Sequence, residues 1–159
     1  MSDRKFFITK STRVAPIEGS TVVWRNFLND ATGGDVDFQR YLQQLCGYCL
    51  SGDTSEQSMF FICGPGGNGK SVFLNTIVNI LGDYATTAPV DVFSASRNNS
   101  NSNALAMLRG ARFVAASETE SGMEWRESLI KLLTGGDQVT ARYLYKSILP
   151  IPLSSSWLS

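Results

Sequence analysis

The chain has 159 residues, 43% of them hydrophobic and 18% charged. That is the length of one domain with enough apolar material for a core, which excludes a disordered or collagen-like chain. Fourteen Lys+Arg balance fourteen Asp+Glu, so any nucleic-acid binding must come from a local patch, and the absence of His excludes His triads, His metal sites and His proton shuttles.

Three Cys (Cys46, Cys49, Cys63) are too few for a disulfide scaffold. The start, Met1 to Phe7, has no apolar core of a leader, and no apolar run approaches the ~18 residues of a membrane span. The expectation is a soluble protein of a reducing compartment, with no membrane partner.

Residues 1–20 read as an irregular lead-in. Ser20 or Thr21 is a plausible N-cap for a short helix carrying Val23, Trp24, Phe27 and Leu28. The stretch 31–35, with Gly33 and Gly34, breaks it. A second helix places Phe38, Tyr41, Leu42, Leu45 and Cys49 on one face, and Gly52 is its expected C-terminal stop. After a polar loop, the apolar run Met59 to Cys63 reads as a buried parallel strand. A third helix follows Ser71, with Val72, Phe73, Ile77, Ile80 and Leu81 as its buried stripe and Gly82 as its end. Residues 94–103 are a polar, low-complexity connection. Residues 112–117 read as a second buried strand. Ser121 with Glu124 fits a capping box opening a helix through Leu133, which Gly135 and Gly136 stop. Residues 139–145 alternate like a strand. This order predicts an α/β fold with a mostly parallel sheet, preceded by a small helical segment: 1–52 as helical lead-in, 53–159 as the core.

The strongest signal is Gly64, Pro65, Gly66, Gly67, Asn68, Gly69, Lys70 and Ser71, which fits G-x-x-x-x-G-K-[ST] at every fixed position. Glycines let successive backbone N–H groups wrap a phosphate, and the following helix aims its positive end at the same anion. Lys70 is positioned to neutralise the β/γ-phosphates and the Ser71 hydroxyl to bind Mg²⁺, so the sequence predicts a P-loop NTPase core that uses ATP and Mg²⁺. Such a site needs a carboxylate on a neighbouring strand. Glu118 lies just past the end of the 112–117 strand, with Glu120 two residues on, and both are candidates for the metal side.

Lys70 and Ser71 followed by Val72, Phe73, Leu74 and Asn75, with Asn68 two positions before Lys70, resemble the phosphate loop of superfamily 3 helicases, most of all the phage/plasmid primase–helicase branch that includes the poxvirus-type enzymes. The stretch 41–53 resembles that branch's lead-in to the strand. Residues 108–112 followed by 117–120 resemble its second acidic motif, and 130–146 its DNA-facing motif. The resemblance runs from Trp24 to Lys146. It implies a ring-forming homo-oligomer and a DNA-stimulated ATPase that unwinds duplex during phage, plasmid or viral replication in the host cell interior. It also implies that Arg142 and Lys146, and less directly Lys131, meet DNA phosphates of a single strand or fork without regard to sequence.

The family continues into another strand ending in a polar sensor, usually Asn, and later into an Arg that reaches the neighbouring subunit's site. Leu149 to Ser159 contains neither residue, so the core is expected to be incomplete at its C-terminus, binding ATP while hydrolysing it poorly. Three readings therefore stand: a replicative helicase core, a catalytically incomplete nucleotide-binding module, and a small P-loop kinase. Cys46 and Cys49 spell C-x-x-C without the further ligands a metal needs, so packing is expected of them, as of Cys63 in its strand. Phe60, Phe61 and Phe73 are likewise expected in the core.

Overall fold

A computed structural model describes residues 9–94, 102–117, 124–135, 139–141, 149–151 and 156–158. Two helices come first, α1 (Val22–Ala31) and α2 (Val36–Ser51). Asp35 caps α2, its carboxylate accepting the Phe38 N–H at 2.9 Å, and Gly52 ends it in the left-handed region at φ 72°. The Thr21 side chain makes no cap, so α1 is fixed by packing instead: the Trp24 ring stacks on Phe73 at 5.9 Å and meets Phe27 at 5.2 Å.

Then follow β1 (Met59–Phe60), α3 (Lys70–Leu81), β2 (Ala85–Pro89), α4 (Ser102–Met107), β3 (Phe113–Ser117), α5 (Glu127–Thr134), β4 (Val139–Ala141), β5 (Leu149–Ile151) and β6 (Ser156–Leu158). The main sheet has the order β1-β6-β3-β2, and every pairing in it is parallel. β4 and β5 form a separate antiparallel pair.

Strand alternation at β3 divides the core. Phe113 and Ala115 face one cluster with Leu42, Leu45 and Cys49 of α2 and Phe73, Ile77 and Leu81 of α3. Val114 and Ala116 face the other, with Val92, Phe93, Ala106, Leu108, Leu129 and Leu133. Helices therefore cover both faces of the sheet, and the lead-in helix α2 shares a core with it. A segment ahead of α1 also straps onto the sheet's far end: the Lys10 ammonium donates to the Asp83 and Gly110 carbonyls at 2.9 and 2.8 Å, and Arg13 N–H donates to Ile80 O. Burial lowers the Lys10 pKa, and nearby Asp83 works against that shift.

The structure departs from the sequence reading in several places. β1 is only two residues long, so Phe61 is 55% exposed and Cys63 is exposed rather than packed in a strand. Of the α3 stripe, Phe73, Ile77 and Leu81 are buried, but Val72 and Ile80 face solvent. On α2, Phe38 and Tyr41 stand out of the core beside the buried Leu42 and Leu45. α5 begins at Glu127 with Glu124 outside it, and Ser121 of the expected capping box lies outside the described residues. The strand at 139 belongs to the β4–β5 pair and not to the parallel sheet. Three strands were not expected at all: β2, β5 as the partner of β4, and β6, a further strand that sits between β1 and β3 in the stretch expected to lack one.

Among the described residues no helix is long and apolar enough to cross a membrane.

Candidate functional site: a glycine-rich loop and the cleft beside it

The Gly64–Gly69 loop leaves β1 at the C-terminal edge of the parallel sheet and feeds directly into α3. In open parallel sheets that edge is where ligands bind. The N-cap of α3 is Gly69, and no side chain caps it, so the first-turn N–H groups have no side-chain acceptor and face the loop. Lys70 turns back over the same loop. Its ammonium donates to Gly64 O at 2.7 Å, Pro65 O at 2.8 Å and Asn68 Oδ1 at 2.7 Å. All three N–H donors of the lysine are thus held by the loop itself. A cation and a row of backbone donors converge on one small, largely exposed turn, which is an arrangement for an anion.

Gly69 is needed at its position for two reasons. Its backbone is left-handed at φ 86°, and a Cβ there would lie 3.0 Å from Phe27 Cε2 and 3.3 Å from Ala31 Cβ. The loop therefore rests on α1. Gly69→Ala is expected to lower stability by about 1–2 kcal/mol from the backbone alone and to push the Phe27 ring outward. A thermal melt reads the first effect, and a change in the emission of neighbouring Trp24 reads the second.

Beside the loop an open-sided cleft separates it from the lead-in helices, with about 450 Å³ of space counting the solvent in its mouth. Phe27, Leu28, Phe38, Leu42 and Phe73 form apolar walls, while Thr32 and Lys70 stand at its polar margin. The Thr32 hydroxyl donates to Leu28 O at 2.7 Å and accepts from Gln39 Nε2 at 3.0 Å, tying the end of α1 to α2. Helical spacing alone could not reveal this cleft, because its walls come from two helices and a loop distant in sequence.

The other expected site residues divide into two groups. Ser71 is exposed in the first turn of α3, next to Lys70. Lys131 is exposed on α5 and pairs with Glu127 at 3.6 Å, a solvated contact worth roughly 0.3–0.5 kcal/mol. Glu118, Glu120, Arg142 and Lys146 lie outside the described residues. In sequence, Glu118 directly follows the last residue of β3, which runs parallel to β1 two positions away in the sheet, about 10 Å across.

The cysteines separate by environment. Burial, followed by the neighbouring Cys49, pushes the Cys46 thiol up to about 11 from its ordinary 9.0. Cys49 is fully buried, whereas Cys63 is exposed beside the glycine-rich loop. Iodoacetamide at pH 8 is expected to label Cys63 in the native protein and to reach Cys46 and Cys49 only after unfolding, a pattern that mass spectrometry resolves. Because the folded state binds the Cys46 proton more tightly, its contribution to stability is intact below about pH 9.0 and is lost as pH rises toward about 11.

These features define a class: an α/β protein whose parallel sheet presents a glycine-rich loop, a lysine and an uncapped helix N-terminus at one edge. The family of unknown function DUF5906 matches residues 62–158, and the chain belongs to that family. It is 34% identical over 114 residues to the "Putative helicase L207/L206" of Acanthamoeba polyphaga mimivirus, an alignment that takes in 70% of this chain and 12% of that protein. The chain thus spans a small part of the curated relative it matches. Among solved structures, an apo structure of the NrS-1 C-terminal region superposes with a TM-score of 0.68 at 13% identity, over 91% of this chain and 34% of that one. The A-form apo structure of the same region gives 0.67 at 13% identity and the same coverage. Likeness at that identity is a shared fold.

Proposed function

We propose that this chain is the ATP-binding core of a DNA helicase of the superfamily 3, phage/plasmid primase type, coupling ATP hydrolysis to unwinding during replication. The observation that carries the reading is the convergence at the Gly64–Ser71 loop of the Lys70 ammonium and the uncapped N-terminus of α3. The loop fits a triphosphate chemically. The N-terminus of α3 behind it carries no side-chain cap, and Lys70 is held by the neutral acceptors Gly64 O, Pro65 O and Asn68 Oδ1, which water or phosphate oxygens can replace. The name of the mimivirus relative and the ordered motifs from Trp24 to Lys146 support the helicase assignment over a metabolite kinase.

In this reading the backbone of Gly64, Pro65, Gly66, Gly67, Asn68 and Gly69 wraps the phosphates. Lys70 balances their charge, and the Ser71 hydroxyl holds Mg²⁺. Bound Mg-ATP supplies the phosphoryl group whose transfer to water drives the motor. Glu118 orients and polarises that water, and Glu120 assists on the metal side. Arg142 and Lys146, with Lys131 as a peripheral contact, bind phosphates of single-stranded or forked DNA in a homo-oligomeric ring inside the host cell. ATP hydrolysis by the wild-type protein is expected to rise when single-stranded DNA is added, and a rate indifferent to DNA contradicts the helicase reading. Replacing Arg142 and Lys146 together by Ala is expected to weaken single-strand binding and to flatten its log–log salt dependence by roughly 1.4, the value for two lost phosphate contacts. A fluorescence anisotropy titration at several salt concentrations measures both.

A further inference from the structure

The Gly64–Ser71 loop holds its lysine with two backbone carbonyls and one side chain, that of Asn68. We infer that the Asn68 carboxamide is a positioning group: it keeps the Lys70 ammonium folded over the loop before any ligand arrives, so that an incoming phosphate meets a cation already in place. The inference rests on the reading of the loop as a triphosphate site.

Asn68 Oδ1 accepts from Lys70 Nζ at 2.7 Å. The bonds from the same ammonium to Gly64 O and Pro65 O are exposed, and water competes there for the donors, whereas the bond to Asn68 is partly buried. It is therefore the bond that fixes where the ammonium sits. The carboxamide can lie only one way round. A lysine ammonium accepts nothing, so the oxygen must face Nζ and the Nδ2 group must turn away from it. Nδ2 then lies against Gly64: a Cβ on that residue would sit 2.5 Å from Asn68 Nδ2 and 3.6 Å from Lys70 Nζ. The first glycine of the loop thus leaves the space that the carboxamide fills. The chemistry of the group suits the task. A free lysine tail samples many rotamers, and a ligand that must order it binds more weakly for that reason. A neutral acceptor orders the tail in advance without cancelling its charge. A carboxylate at the same place would neutralise the ammonium and repel the phosphates. Because Asn68 acts on the ligand through Lys70, its effect vanishes when the lysine is absent.

A double-mutant cycle tests this, with calorimetric titration of tripolyphosphate and Mg²⁺ at low ionic strength into wild type, Asn68→Ala, Lys70→Ala and the double variant. Asn68→Ala is expected to weaken binding about threefold to tenfold, the range for one net hydrogen bond. With Lys70 already replaced by Ala, the same change is expected to stay within about twofold. Loss by the same factor in both backgrounds, or no loss in either, overturns the positioning role. Asn68→Leu, which keeps bulk over Gly64 and accepts no hydrogen bond, is expected to show the same split and decides the matter if the alanine variant unsettles the loop. Amine acylation of the ligand-free protein, read by mass spectrometry, reports on the lysine directly. Lys70 is expected to react about threefold faster or more in either Asn68 variant, and an unchanged rate overturns the proposal even where the Lys70→Ala variants bind too weakly to titrate. Failure of the wild type to bind tripolyphosphate instead overturns the reading of the loop, and the positioning role with it.

Discussion

Lys70→Ala is expected to yield a folded protein whose affinity for Mg-ATP falls by about tenfold to a hundredfold, the range for a lost charge-assisted hydrogen bond of roughly 1.5–3 kcal/mol, and whose ATP hydrolysis drops to background. The ammonium is the point where three loop acceptors meet: Gly64 O, Pro65 O and Asn68 Oδ1. Those carbonyls lie on an exposed turn, so water satisfies them when the lysine is gone, and little stability is lost. Loss of binding with an unchanged melting temperature distinguishes a ligand-holding lysine from a structural one. Calorimetry with ATP and a thermal melt on the same sample check both halves.

The second large effect concerns the sheet that carries the site. Phe113→Ala is expected to cost about 3–5 kcal/mol. Phe113 is 0% exposed at the start of β3, packed among Leu42, Leu45 and Cys49 of α2 and Phe73, Ile77 and Leu81 of α3. Its backbone is paired on both sides, with Ala85 of β2 and Ser156 of β6, so the strand cannot shift to close the void. For a chain near this length, each kcal/mol lowers the melting temperature by roughly 2–4 °C, which puts the expected drop at roughly 6–20 °C. A loss of only a few degrees would mean that α2 and α3 do not share this core.

The parts legible in the sequence were those with a local signature. The glycine pattern located the loop, and the 3.6-residue period located α1, α2 and α3. Periodicity does not say how wide the buried stripe is. Phe38, Tyr41, Val72 and Ile80 lie at helical spacing from core residues, yet they border the cleft or solvent. β2 was missed because Ala85, Thr86, Thr87 and Ala88 carry no apolar run, and this edge strand is held by its ladder to β3. β6 was missed because three residues between β1 and β3 are fixed by backbone pairing on both sides, which no short-range pattern announces. The cleft escaped for a related reason. Phe27, Thr32 and Phe38 meet Gly69 and Phe73 only after α1 has docked on α3 through Trp24.

Titration of the wild-type protein with ATP in the presence of Mg²⁺ tests the central claim most directly. One saturable site per chain, competed by tripolyphosphate and lost in Lys70→Ala, is the expected result. Well-folded protein that takes up no ATP over a range reaching millimolar concentrations contradicts it.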